Sequence, residues 1–229
     1  MSKNNATASQ AIARNQKLQC DLSSCNASRY GLSRYCLKHK ERNIRYGSPT
    51  GSSLMLNGKQ PRYYNELTYT HNLLIRNSTS KPVQAACNIL LEWINAAKGG
   101  FNIAGGNLLS HISDAESVCL PILEDISAAY IHALEVKNLS DRELTYALAN
   151  SLYRHVPRKY KTVINSQGKS SKRPTVKMGG KTRLAIGEHV REELGIFLAN
   201  VHSHWKTQTD RATERKHDLI KPIINMEGR

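Results

Sequence analysis

Cys20-x4-Cys25-x10-Cys36-x2-His39 is the constellation in this chain whose residue types and spacing suit a chemical task. Thiolate and imidazole are the ligands a structural zinc takes, usually as two close pairs that clamp the ion tetrahedrally. Cys20 and Cys25 supply one pair across a tight turn, to which Asn26 and Ser28 are suited. Cys36 and His39 supply the other, at the spacing of a first helical turn, in a helix running through "LKHKERNIRYG" to a C-cap at Gly47. The competing outcomes are a disulfide knot and chance. Five cysteines is an odd number, and "MSKNNATASQAIARNQK" lacks the apolar centre of a secretory signal. A reducing compartment is therefore expected, with no disulfide framework. The segment is too polar to collapse alone, so bound Zn²⁺ would supply its folding energy. The expected cofactor is one structural zinc.

Basic and aromatic side chains surround these ligands. Arg29, Arg34, Lys38, Lys40, Arg42 and Arg45 flank them, with Tyr30, Tyr35 and Tyr46 interleaved. Guanidinium groups bond phosphate or guanine edges, and tyrosine bonds phosphate or stacks on an exposed base. The charge of the whole chain is +15, and its distribution says more than its sum. Residues 1–65 hold 11 Lys/Arg against 2 acids, residues 89–143 hold 3 against 8, and residues 144–187 hold 10 against none. Two basic blocks separated by an acidic region read as two contact surfaces on one scaffold. In the second block, Arg158, Lys159, Lys161, Lys172 and Arg173 are the candidate contacts.

The Cys-x4-Cys, the Gly31-Leu32 before the third cysteine, the Cys-x2-His and the trailing "RYGSP" resemble a small zinc module. It is found in bacteriophage DNA-binding proteins and in phage HNH and homing-type endonucleases. The resemblance covers residues 20–49, and "GLSRYC" departs from it by inserting residues after Gly-Leu. It implies a DNA-associated module of phage type.

Other motifs fail on their context. "GGKT" at 179–182 has Thr175 where a P-loop needs its first glycine, so nucleotide phosphates are not expected there. No histidine pair with a later asparagine has HNH spacing. "VHSHW" (201–205) ends an amphipathic helix, with one histidine near the core and one towards solvent. "RHVPRKY" (154–160) offers the His, Arg and Tyr of a tyrosine recombinase without the rest of that site. Cys87 and Cys119 stand in apolar runs and read as core.

The elements that must position these residues are mainly α-helical. Residues 1–18 read as a polar leader, 19–46 as the zinc module, the Gly/Ser/Pro-rich 47–61 as a linker, and 62–229 as a multi-helix domain. Ser80 and Pro82 open a helix that stops at Gly99-Gly100 and buries Val83, Ala86, Cys87, Leu90 and Ile94. Capping boxes at Ser113/Glu116 and Ser140/Glu143 open two more, the first separated or kinked by Pro121. A last helix over about 183–205 turns Val190, Leu194, Phe197, Leu198 and Val201 to one side. The basic insertion 156–183 reads either as a hairpin of Tyr160–Ile164 with Pro174–Met178 or as a loop. No run of about 18 apolar residues is present, so no membrane partner is expected.

The chain is thus expected to be a cytoplasmic, zinc-containing binder of double-stranded DNA, a non-catalytic phage or mobile-element regulator. RNA is a second suitable ligand, and a palindromic site would bring a homodimer. The alternatives are a homing-type endonuclease or nickase, and a nucleic-acid-associated assembly or interaction protein.

Overall fold

The computed structural model describes the backbone of residues 3–56, 60–157, 160–164, 170–174 and 178–224. The element order is α1 (Lys3–Gln16), α2 (Leu37–Tyr46), β1 (Met55–Leu56), β2 (Gln60–Pro61), α3 (Tyr64–Arg76), α4 (Lys81–Lys98), α5 (Gly106–Leu109), α6 (Ala115–Glu135), α7 (Asp141–Arg154), β3 (Tyr160–Ile164), β4 (Ser170–Pro174) and α8 (Gly180–Ile224). The protein is mainly α-helical, as its periodicity requires.

α6 is the hub, packing against α3, α4, α7 and α8. Ile122, Leu123, Ile126, Ala129, Ile131 and Ala133 have no exposed surface, so the helix is buried over most of its circumference, with Asp125, Ser127 and His132 as buried polar residues among them. Its length and a mean hydropathy of 1.2 would also suit a bilayer crossing, which the sequence reading did not anticipate. Since 67% of that stretch is buried among the other helices, it serves here as a core helix. Around it, α4 contributes Val83, Ala86, Leu90 and Ile94, and α8 contributes Val190, Leu194, Leu198 and Val201. Each fully buried leucine or isoleucine stabilises the fold by about 1.5–3 kcal/mol through area removed from water. α7 and α8 meet closely at Gly187, where a Cβ would stand 2.0 Å from the Thr145 carbonyl oxygen. Only glycine fits that crossing.

Several boundaries differ from the sequence expectations. The leader, expected to be frayed or partly helical, is helical over α1. α3 was not anticipated, because its core face carries Glu66 and Thr70 beside Leu74 in place of an apolar stripe. The cap of α6 is Asp114, which accepts from Ser117 N at 3.2 Å, one residue beyond the expected Ser113. Pro121 lies inside α6 without dividing it. The Ser140/Glu143 capping box is present as expected. The second hairpin strand is Ser170–Pro174 and not Pro174–Met178, with Tyr160 opposite Pro174 and Ile164 opposite Ser170. A hairpin returns after a short connection, and Pro174, which has no N–H to give, suits the end of the ladder. In the stretch expected to be a linker, Met55–Leu56 pairs antiparallel with Gln60–Pro61.

Candidate metal centre and its basic surroundings

The cysteine segment folds as a loop turned back on itself, followed by a helix. Gln19 bridges Ser28, Cys20 N donates to Ala27 O (2.9 Å), and Arg29 N donates to Leu18 O (3.0 Å). Cys25 N closes the turn on Leu22 O at 2.9 Å. Gly31, with φ of 57°, occupies the left-handed region and lets the chain reverse towards Cys36. α1 braces this reversal, since Asn15 Nδ2 donates to both Gly31 O (2.9 Å) and Ser33 O (2.8 Å). Cys36 is the N-cap of α2, so His39 follows one turn on, and Gly47 ends the helix in the left-handed conformation.

These elements bring Cys20, Cys25, Cys36 and His39 together, with their ligand atoms all within 4.8 Å of one another. Cys20 Sγ and Cys36 Sγ lie 3.5 and 3.3 Å from His39 Nδ1, and Cys25 Sγ lies 3.9 Å from Cys36 Sγ. Bonds of about 2.3 Å to sulfur and 2.0–2.1 Å to nitrogen imply tetrahedral edges of about 3.5–3.8 Å. These three distances lie close to that figure, and the cluster is capable of holding a metal ion, as in a small zinc-binding module. All five cysteines are free thiols. Burial pushes the Cys20 thiol up, but hydrogen bonds involving Leu22, Cys36 and His39 outweigh it and bring it down to about 6. Cys25 moves the other way: the Ala27 backbone lowers it, while burial and the neighbouring Cys36 and Cys20 sulfurs raise it more.

The basic residues divide into two groups. Arg29 is engaged in the loop, bonding Asp21, Gln19 O (2.9 Å) and Asn15 Oδ1 (3.4 Å). Arg34 Nε also reaches Asp21, at 2.6 Å, and these two cations hold the Asp21 carboxyl below its ordinary value. Asp21 is a structural residue that sequence reasoning passed over, although an acid among so many bases was the available signal. Lys38, Arg42 and Arg45 stand four and three residues apart on α2, which places them along one helical face. Lys40 lies over the Tyr30 ring at 5.1 Å. In the hairpin, the register sets Lys161 against Arg173 and Thr162 against Lys172. Arg158 and Lys159 lie outside the described residues.

The module rests on the helical body. Asn150 Nδ2 on α7 donates to Arg45 O (3.0 Å), and Arg183 Nη1 on α8 donates to Ile44 O (3.4 Å). Gly47 passes so close that a Cβ would stand 3.0 Å from Arg142 O. Arg154 and His155 of the "RHVPRKY" motif take a packing role beside this junction. Asp125, buried, receives Arg154 Nη1 (2.7 Å) and Tyr63 OH (2.8 Å), with His155 Nε2 at 2.9 Å. Glu66 Oε1 similarly meets His132 Nδ1 at 2.9 Å. In "VHSHW", His202 Nε2 contacts Glu135 (2.6 Å) and His204 Nδ1 contacts Tyr69 OH (2.5 Å). Cys119 is buried, as expected for a core residue, and Cys87 is partly buried against the same cluster.

Comparison with protein-family models, with curated proteins and with solved structures finds no match to this chain.

Proposed function

We propose that this protein is a zinc-containing binder of double-stranded DNA in which the metal orders a recognition helix. The observation that carries the reading is the placement of Lys38, Arg42 and Arg45 on the helix that Cys36 and His39 anchor. Three thiolates and one imidazole at tetrahedral spacing favour zinc over hard cations. All four positions are filled by side chains, which favours a structural ion over one with an open site for water. A short basic helix suits the major groove, where guanidinium groups bond guanine edges or flanking phosphates. The hairpin residues Lys161, Lys172 and Arg173, with Arg158 and Lys159 beside them in sequence, supply a second contact on the phosphate backbone. The resemblance of residues 20–49 to phage modules favours a non-catalytic phage or mobile-element regulator, acting in a bacterial cytoplasm. Paired half-sites would call for a homodimer.

Selection from a random duplex pool, followed by titration against salt, tests this. With about 6–8 phosphates neutralised, log affinity falls against log salt with a slope of roughly −5 to −7. Replacing Lys38, Arg42 and Arg45 together by alanine makes that slope shallower by about 2–3 and lowers discrimination between selected and random duplex. An unchanged slope and selectivity would remove α2 from the interface. Cleavage of the bound duplex with added Mg²⁺ or Mn²⁺ would replace the regulator by a nuclease.

A further inference from the structure

The junction between module and body encloses a cleft of about 220 Å³, bounded by α2, residues 51–54, α7 and the start of α8. Three arginines from three different helices line it: Arg45, Arg154 and Arg183. Arg154 has its counter-ion in Asp125. Arg183 does not. Its guanidinium bonds Asn150 Oδ1 (3.0 Å), Met178 O (2.5 Å) and Ile44 O (3.4 Å), all neutral oxygens, and it makes no ion pair among the described residues. Burial holds it below the ordinary arginine value, and the nearby Arg45 charge pushes the same way. Among the described residues Arg45 itself pairs only with Glu41, at 3.8 Å, a solvent-exposed pair that offsets little charge. The acid on the cleft wall, Glu143, is turned to the capping box, its Oε2 meeting Ser140 Oγ (2.7 Å) and N (3.2 Å). Three guanidinium groups against the carboxylates of Glu143 and Asp125 leave this partly desolvated cleft with a surplus of positive charge.

The remaining wall says which anion. Leu54, Leu139 and Ala147 give it apolar surface, and Tyr46 adds a ring. A bare phosphate has no use for such a wall. A cavity of about 150 Å³ already admits a benzene-sized ring, so this one has room for a nucleobase. Arg183 keeps Nη2 for an incoming oxygen, its Nε and Nη1 being engaged, and Arg45 adds a second guanidinium, the group best matched to phosphate oxygens.

We propose that this cleft takes one unpaired nucleotide, its phosphate held by Arg45 and Arg183 and its base laid against Leu54, Leu139 and Ala147. The inference deepens the DNA-binding reading and rests on it: an extruded base or a strand end, next to a duplex held by α2, would present such a nucleotide. Regulators that deform DNA gain contacts this way, since a base outside the stack needs a surface of its own.

The test is calorimetric titration of the full-length, zinc-loaded protein with deoxyadenosine monophosphate, deoxyadenosine and inorganic phosphate separately. The monophosphate is expected to bind at least about tenfold more tightly than either fragment. Arg45→Glu, whose side chain is 58% exposed and so tolerates exchange, is expected to weaken monophosphate binding about tenfold or more. Arg76→Glu, exposed in the last turn of α3 and outside the cleft, is expected to change it little. Monophosphate and phosphate binding equally, or the two variants behaving alike, overturns the proposal. Duplex binding without any mononucleotide binding also overturns it and leaves the DNA reading standing. Mononucleotide binding that follows this pattern, in a protein that ignores duplex, keeps the cleft and removes the DNA reading.

Discussion

Asn150 donates its side-chain amide to the backbone carbonyl of Arg45, 3.0 Å away across 105 residues of chain, and its Oδ1 accepts from Arg183 Nε at 3.0 Å. One amide thereby satisfies a carbonyl at the end of α2, where no intrahelical partner exists, and orients the guanidinium that also reaches Ile44 O. The metal module is docked on α7 and α8 through this residue. Asn150→Ala is expected to lower stability by about 1–2 kcal/mol, the net value of a hydrogen bond plus the polar groups left without partners. Urea denaturation checks the magnitude. Limited proteolysis checks the place, since cleavage within residues 47–56 should accelerate. A variant with wild-type stability and an unchanged cleavage rate would mean that the junction is held elsewhere.

Metal content is the most direct measurement on the module. Protein purified without added metal should carry about one equivalent of zinc. Its removal with a strong chelator, or Cys36→Ser, should cost residues 18–46 their hydrogen-exchange protection, because the polar loop has no core of its own. α4 and α6 should keep theirs, their side chains being buried against each other and not against the module. Metal-free wild-type protein with an unchanged exchange pattern would leave the four donors without a structural task.

The Cys20/Cys25/Cys36/His39 cluster was legible in the sequence because a site capable of holding a metal needs residue types and spacing together, and Gly47 marked the helix end because only glycine takes that left-handed turn freely. Val83, Leu90 and Ile94 on α4 and Val190, Leu194 and Leu198 on α8 were legible because one buried face imposes helical periodicity. α3 was not, since it buries Glu66 against His132, and a charged residue on a core face defeats periodicity. The cap of α6 slipped by one because Ser113 and Asp114 are both good caps, and only the fold decides which starts the helix. The cleft was invisible, for Arg45 stands far along the chain from Arg154 and Arg183, and the three converge only after α2 docks.

The α7–α8 crossing allows a paired prediction on one helix. Gly187→Ala forces a methyl to 2.0 Å from the Thr145 carbonyl and should destabilise the fold by about 3 kcal/mol through overpacking. At Gly195, also in α8, an added Cβ meets nothing within 4 Å. Gly195→Ala should therefore stabilise by up to about 1 kcal/mol through helix propensity alone. Thermal melts of the two variants should move in opposite directions. If both moved alike, the close approach of α7 to α8 would be wrong.

The two basic surfaces should fail in different ways when neutralised. The hairpin brings Lys161 and Arg173 into register, and Lys172 one position along, with Lys159 close by in sequence. A two-stranded basic ribbon is suited to hold phosphates, which position a protein without reading bases. Replacing Lys159, Lys161, Lys172 and Arg173 by alanine should therefore weaken binding to selected and random duplex by a similar factor. Each phosphate no longer neutralised should take about 0.9 units off the salt slope, a change of about 2–4 in total. The α2 variants should instead lower affinity for the selected site more than for random DNA, because the role proposed for their side chains is to bond base edges as well as phosphates. Filter binding of both variant sets, at two or more salt concentrations, separates the outcomes. A hairpin variant that changed sequence preference while leaving the slope alone would make the hairpin the reader, and α2 would then be the surface that holds the backbone.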